Sequence, residues 1–144
     1  MKRLNRKGFT LVELLAVIVI LAIVVGITLV TVLPTLKQSR QKAFELTAQT
    51  AADYYEKQYQ LYLIGDTSSK LTNSTLNGNV SYSDAGLKSK NYKAGKYKVD
   101  TSTGRVCVKL QANKNQNEGA EYYDVSPEYA CSSACTGACN SVQP

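Results

Sequence analysis

An uninterrupted apolar run near the start constrains this chain more than any other feature: Leu14 to Leu33 is twenty residues without a charge. That matches the roughly 20 residues an α-helix needs to cross the hydrocarbon of a bilayer. Inside a bilayer the backbone has to satisfy its own hydrogen bonds. Helix is therefore the form open to a single span, although the Val and Ile that fill this run are only middling helix formers in water. A cleavable secretory signal has a shorter apolar core, about 7–15 residues, followed by a small-x-small site. Here the run passes into Pro34-Thr35-Leu36-Lys37 with no such site.

Charge places the run's ends. Of a net charge of +6, four charges come from Lys2, Arg3, Arg6 and Lys7; beyond residue 8, 13 basic residues face 11 acidic ones. The basic balance is therefore a topological signal and not evidence of a polyanion partner. The positive-inside rule puts these four residues in the cytoplasm and the later chain outside. The plain anchor leaves one residue unexplained. Glu13 sits at the entrance to the apolar stretch, and an acid at mid-span costs about 2.5–3.5 kcal/mol on insertion scales. Nearer the end the cost is smaller, but a simple anchor would still gain from leucine there.

The segment Lys7-Gly8-Phe9-Thr10-Leu11-Val12-Glu13 and its apolar continuation resemble the processing site and assembly helix of type IV pilins and their pseudopilin relatives, over roughly residues 6–33. The resemblance implies a short basic leader, 1–8, that a membrane-embedded prepilin peptidase removes between Gly8 and Phe9. It implies N-methylation of the new terminus at Phe9, and an assembly role for Glu13, the fifth residue of the mature chain. Pairing physics agrees. Cleavage creates a cationic amine at Phe9, and pairing that amine with a carboxylate offsets part of the cost of taking both out of water. Among parallel helices, Glu13 of one copy would meet the Phe9 amine of the next and set the axial register. Many pilins carry a helix-breaking proline about one turn before Pro34, where this chain has Val30. Pro34 removes a ladder donor and is expected to kink or locally melt the helix here.

After Pro34 the pattern turns amphipathic. Leu36, Phe44, Ala48, Ala51 or Ala52, Tyr55, Tyr59 and Tyr62 with Leu63 recur at helical spacing, between polar residues such as Lys37, Arg40, Glu45, Asp53 and Lys57. Gly65 suits the stop. One helix over 9–64 would be about 84 Å long, apolar all round in 9–33 and with a single apolar stripe in 34–64. Tyr54, Tyr55, Tyr59 and Tyr62 are read as lining the helix–sheet interface, with hydroxyls at its edge, in preference to a functional aromatic track.

The remainder, 65–144, reads as a small extracellular β domain. Asn77-Gly78-Asn79 and Asp84-Ala85-Gly86 read as turns with a short strand at Val80–Tyr82 between them. Tyr97–Asp100 and Arg105–Leu110 read as a hairpin about Thr101–Gly104, and Tyr122–Val125 as a third strand closed by Pro127. The fold class is α+β: a long helix on a small antiparallel sheet of three or four strands. Cys107, Cys131, Cys135 and Cys139 suit either a zinc site or disulfides by spacing. An extracellular location favours disulfides. A bond near the C-terminus ties tail to sheet in many pilins, and on that likeness Cys107–Cys131 with Cys135–Cys139 is the expected pairing.

Lys88, Lys90, Lys93, Lys96 and Lys98, interleaved with Tyr92 and Tyr97, resemble a polyanion patch for DNA or acidic surface polymers. The favoured reading is a solvated loop leading into a strand with an outward lysine face. Nothing in the residues points to catalysis or a cofactor, and no metal is expected once the cysteines are read as disulfides. There is no histidine, no nucleophile elbow, no phosphate-binding glycine loop and no acidic metal cluster. The expectation is a structural subunit of a type IV pilus filament. The alternative is a pseudopilin of a type II secretion or competence DNA-uptake system. Either would imply as partners other copies of the chain, minor pilins, prepilin peptidase, a membrane assembly platform and, before assembly, membrane lipid. A tethered binding domain would need neither Gly8 nor Glu13.

Overall fold

A computed structural model of the chain describes residues 10–135. Gly8, Phe9 and Cys139 lie outside the described residues. The chain divides into two compact units, 1–36 and 37–144.

Helix α1, Leu11–Leu63, supplies the described part of the first unit and continues into the second. From Leu11 to Leu36 every residue is exposed. It is the one helix among the described residues long and apolar enough to cross a membrane. Its hydroxyls are satisfied by the helix itself. Thr28 donates to the carbonyl of Val25 at 2.9 Å, Thr31 to that of Thr28 at 3.2 Å and Thr35 to that of Thr31 at 2.9 Å. These bonds remove the penalty for polar side chains in an apolar setting. The helix runs through Pro34 without interruption, so of the kink or local melting expected there the melting is not seen.

In the second unit, α1 buries Phe44, Ala48, Ala51, Ala52, Tyr55, Gln58 and Tyr59. The alanines share the core with Phe44 and the sheet residues, while Leu36 and Leu63, assigned to the stripe by spacing, stay exposed. Gly65 ends the helix as expected. At φ +73° it occupies the left-handed region that glycine enters without a Cβ penalty. The Gly65 amide donates to the carbonyl of Tyr62 at 3.1 Å and the Asp66 amide to that of Leu61 at 3.0 Å, the paired bonds of a Schellman cap.

The sheet has four antiparallel strands in the order β1 (Asn77–Asn79), β2 (Tyr92–Val99), β3 (Val106–Ala112) and β4 (Tyr129–Cys131). The β2–β3 hairpin is the one read from the alternating pattern, with Tyr97 opposite Val108 and Val99 opposite Val106. Its loop is organised by Asp100, whose carboxylate accepts from the Ser102 amide at 2.9 Å, the Ser102 hydroxyl at 2.6 Å and the Thr103 hydroxyl at 2.8 Å. Those donors hold its pKa down at about 2. Tyr97, Val99, Val106, Val108, Leu110, Ala112 and Ala130 line the face that joins Phe44 and Tyr55 in the core. Gly95 belongs to that face because a Cβ there would come within 2.8 Å of Leu110 Cδ2.

Three local readings are corrected. Asn77-Gly78-Asn79, read as a turn, is β1. Gly78 lies 3.3 Å, measured from an added Cβ, from the hydroxyl of Tyr97, so the segment is ordered by pairing with β2 against turn propensity. Val80–Tyr82 is not a strand, although the Val80 amide still reaches the Gly95 carbonyl at 2.9 Å. Tyr122–Val125 is a turn that drops Tyr122 and Val125 into the core. The last strand is β4, beyond Pro127.

Candidate functional site

Thr10 precedes the first residue of α1, and the Leu14 amide donates to its carbonyl at 3.2 Å. Glu13 falls in the first turn. Its Oε2 accepts from the Thr10 backbone amide and from the Thr10 hydroxyl, each at 2.8 Å, and the Glu13 amide donates to Thr10 Oγ1 at 3.3 Å. This is a reciprocal capping box, which satisfies two orphan donors at a helix start. A carboxylate here also faces the positive end of the helix dipole. The two charged or polar groups of the Thr10–Glu13 turn are thus matched to each other at the point where an apolar helix begins. The amine of Phe9 is the partner expected for Glu13; the partner seen among the described residues is Thr10. The signal was present in the spacing Thr10-x-x-Glu13 ahead of an apolar run.

Beyond this turn the surface is uncharged and mostly hydrocarbon, its threonine hydroxyls already bonded to helix carbonyls. Val12, Leu14, Ile20 and Ile27 are among a continuous set of large apolar side chains left exposed. A carboxylate at the edge of such a surface is its directional group, since apolar attraction has no preferred direction.

The other residues singled out by sequence are scattered. Lys88 is ion-paired with Glu121 at 2.7 Å, which raises the Lys88 pKa and lowers that of Glu121 through the shared hydrogen bond. Lys93 stands at the register shift between Tyr92 and Ala94, and Lys96 and Lys98 point away from the core, opposite Lys109 and Cys107. Tyr92 and Tyr97 are buried, so the interleaved aromatics of a stacking platform are turned inward. The tyrosines of α1 follow the interface reading. Tyr55 stacks on Tyr97 with centroids 3.8 Å apart and accepts from the Ser81 amide at 2.8 Å, and the Tyr62 hydroxyl donates to Asn73.

The cysteine pairing differs from expectation. Cys107 is bonded to Cys135, with Cα atoms 4.8 Å apart, and Cys131 is also disulfide-bonded. The register explains why Cys107 and Cys131 do not pair. Cys131 lies opposite Lys109, two residues along β3. The chain then turns at Ser132, whose hydroxyl accepts from the Val108 amide at 3.0 Å and whose carbonyl accepts from the Cys135 amide at 3.0 Å. That turn folds Cys135 back over Cys107. Thiolates committed to disulfides are not available to zinc.

A family model described as the prokaryotic N-terminal methylation motif matches residues 3–29. Those residues include Gly8, Phe9 and Glu13, and the match is to the signal of type IV pilins and pseudopilins. Neither a search of curated proteins nor one of solved structures found a match.

Proposed function

We propose that this chain is the precursor of a filament subunit, a type IV pilin that polymerises through its N-terminal helix. The observation that carries the reading is the acid at the mouth of a bare apolar helix. Glu13 stands in the first turn, and every residue from there to Leu36 is exposed. The methylation motif over the same residues supports cleavage between Gly8 and Phe9 and methylation of Phe9. In this reading 1–8 is the leader, 9–33 the membrane and assembly helix, 34–64 its amphipathic half and 65–144 the extracellular domain. The precursor sits in the cytoplasmic membrane with its N-terminus in the cytoplasm. The mature chain joins an extracellular filament with other copies and minor pilins, after prepilin peptidase and an assembly platform have acted.

Within the membrane, the Thr10 amide and hydroxyl hold the Glu13 carboxylate. On assembly the amine of a neighbouring Phe9 becomes its charged partner, and a charge-assisted bond is roughly twice as strong as a neutral one. The neighbouring apolar helices then cover what lipid covered before.

The test is Glu13→Val in the native host, with the mature N-terminus and sheared surface fibres measured together. The expected result is normal trimming to methyl-Phe9 with loss of fibres. Fibres from correctly trimmed Glu13→Val subunits would overturn the proposed role of Glu13, and an intact Met1 on the wild-type chain would overturn the family reading. Abundance in the sheared fraction separates a pilus subunit from a pseudopilin of a short secretion or DNA-uptake filament.

A further inference from the structure

Asn77 is the one asparagine of the chain that is followed by glycine. With no Cβ on the following residue, its backbone nitrogen can approach the asparagine carboxamide in conformations that other residues disfavour. Asn77 is exposed, on β1 at the edge of the sheet. Its carboxamide is held by no hydrogen bond among the described residues, whereas Asn73 Oδ1 accepts from the Tyr62 hydroxyl. The ladder supplies the restraint. The Val99 amide donates to the Leu76 carbonyl and the Val80 amide to the Gly95 carbonyl, each at 2.9 Å. Bonded pairs alternate with non-bonded ones along antiparallel strands. Gly78 and Tyr97 are therefore a bonded pair, and the Gly78 nitrogen is engaged while β1 is in place. Asn77 and Lys98 are a non-bonded pair, in which facing side chains lie closest.

That restraint is weak. β1 is three residues long, Asn77–Asn79, none of them buried, and it pairs on one side only. Asn and Gly are both depleted from strands. An edge segment of this kind opens locally, at a free energy below that of global unfolding. The sheet face it belongs to is short of negative charge. Lys98 stands between Asn77 on β1 and Cys107 on β3, and the next row is Asn79, Lys96, Lys109 and Cys131. These two rows hold Lys96, Lys98 and Lys109 and no acid. Lys98 takes part in none of the ion pairs of the described residues, which join Arg40 to Asp124, Lys70 to Asp84 and Lys88 to Glu121.

We infer that Asn77-Gly78 is a site of spontaneous deamidation, released by local opening of β1, that places a carboxylate opposite Lys98. With β1 open, the Gly78 nitrogen loses its proton to solvent base and attacks Asn77 Cγ. The N–Cγ bond forms, the Cγ–Nδ2 bond breaks, and ammonia leaves with a proton from water. Water then opens the succinimide at either carbonyl, and nothing is oxidised or reduced. Opening at Cγ restores the backbone and leaves an aspartate. Its carboxylate faces the Lys98 ammonium, a favourable cross-strand pair of opposite charges. Opening at the backbone carbonyl leaves an isoaspartate, which adds a methylene to the main chain, so the ladder bonds on its two sides no longer fall in register. The first product tightens β1 and the second detaches it. The change does not depend on the filament reading, and it builds up with the age of the chain.

The test is a time course on the full chain in micelles in mildly alkaline buffer, beside a second sample unfolded in urea. Peptide mass spectrometry reads the amide-to-acid mass increase at each asparagine. Conversion is expected at Asn77 in the folded chain, more slowly than in urea, with Asn73 and Asn79 unchanged over the same period. No conversion in the folded chain by the time the unfolded sample is complete would overturn the site, and so would equal conversion at Asn79. Gly78→Ala adds a Cβ that would stand 3.3 Å from the Tyr97 hydroxyl. It should lose the conversion in urea as well as in micelles, so the result holds whether or not β1 still pairs; conversion at the wild-type rate would remove Gly78 from the reaction. Asn77→Asp installs the aspartyl product directly. It should raise the urea midpoint, and the gain should vanish in Asn77→Asp/Lys98→Gln. No gain, or a gain that survives the loss of Lys98, would overturn the pairing.

Discussion

The two halves of α1 obey opposite rules. Between Leu11 and Leu36 the helix exposes every residue, most of them Leu, Ile and Val. Between Lys37 and Leu63 it hides a single stripe, with Phe44, Ala48, Ala51 and Ala52 fully buried, and leaves Leu46 65 % exposed. The first half has the composition of a protein core with no core around it; the second is an ordinary amphipathic helix seated on a sheet. A surface that is apolar all round has to be covered by something outside the described chain. A stripe is already covered by its own sheet. The difference leaves the first half without a cover among the described residues, while the second serves the fold.

The largest effect that sharpens this contrast comes from separating the halves. A chain beginning at Lys37 should move from the membrane fraction to the soluble fraction and keep its near-ultraviolet circular dichroism, because its core lies wholly beyond that point. Loss of that signal would mean that the apolar half also holds the fold together. Next comes Phe44→Ala, which empties a fully buried site and should cost about 3–5 kcal/mol in urea unfolding. Leu46→Ala, two residues away and exposed, should change stability by no more than about 0.5 kcal/mol. Comparable losses at both positions would erase the stripe. Replacing Cys107 and Cys135 together by serine opens a link across a sequence separation of 28 residues and should cost about 2–4 kcal/mol, with no effect on membrane insertion.

A smaller effect is set by pH. Burial pushes Tyr55 and Tyr92 up to about 12 from the ordinary tyrosine value of 10. The unfolded chain therefore loses these protons first. The stability they contribute is complete below pH 10 and is lost as the pH rises from about 10 to about 12. Alkaline titration should lower the stability of the second unit in that window, and a flat stability curve across it would contradict the buried placement of both rings. The smallest effect belongs to the first half. Thr10→Val removes the hydroxyl that Glu13 accepts from and should loosen the first turn by about 1 kcal/mol. That would appear as roughly fivefold faster amide exchange at Glu13 and Leu14 in micelles, with the helix beyond unaffected.

Much of the architecture was legible because its signals are local. An uncharged run of bilayer length, a basic flank and an acid at fixed spacing can be read without a fold. So can the stripe from Phe44 to Tyr59 and the alternation of Tyr97, Val99, Val106 and Val108 that announces a hairpin. The Thr10–Glu13 cap is equally local, but pairing Glu13 with the Phe9 amine alone leaves Thr10 out of account. The readings that failed concerned short segments of weak pattern. Asn77-Gly78-Asn79 has the residues of a turn and becomes a strand because β2 offers it a ladder. Tyr122–Val125 has the residues of a strand, and its Tyr122 is drawn off against Phe44, with ring centroids 5.2 Å apart.

The sequence by itself determined that this chain has a membrane-length helix with a carboxylate at its entrance, and that a stripe and a hairpin would follow, because helix and strand periods are properties of the chain alone. Only the tertiary structure decided which cysteine meets Cys107, which way each lysine and tyrosine of 88–98 faces, and that Asn77 would stand opposite Lys98. Those outcomes depend on strand register and on how a turn returns the chain, and register is settled by residues far apart in sequence that meet only when the core closes.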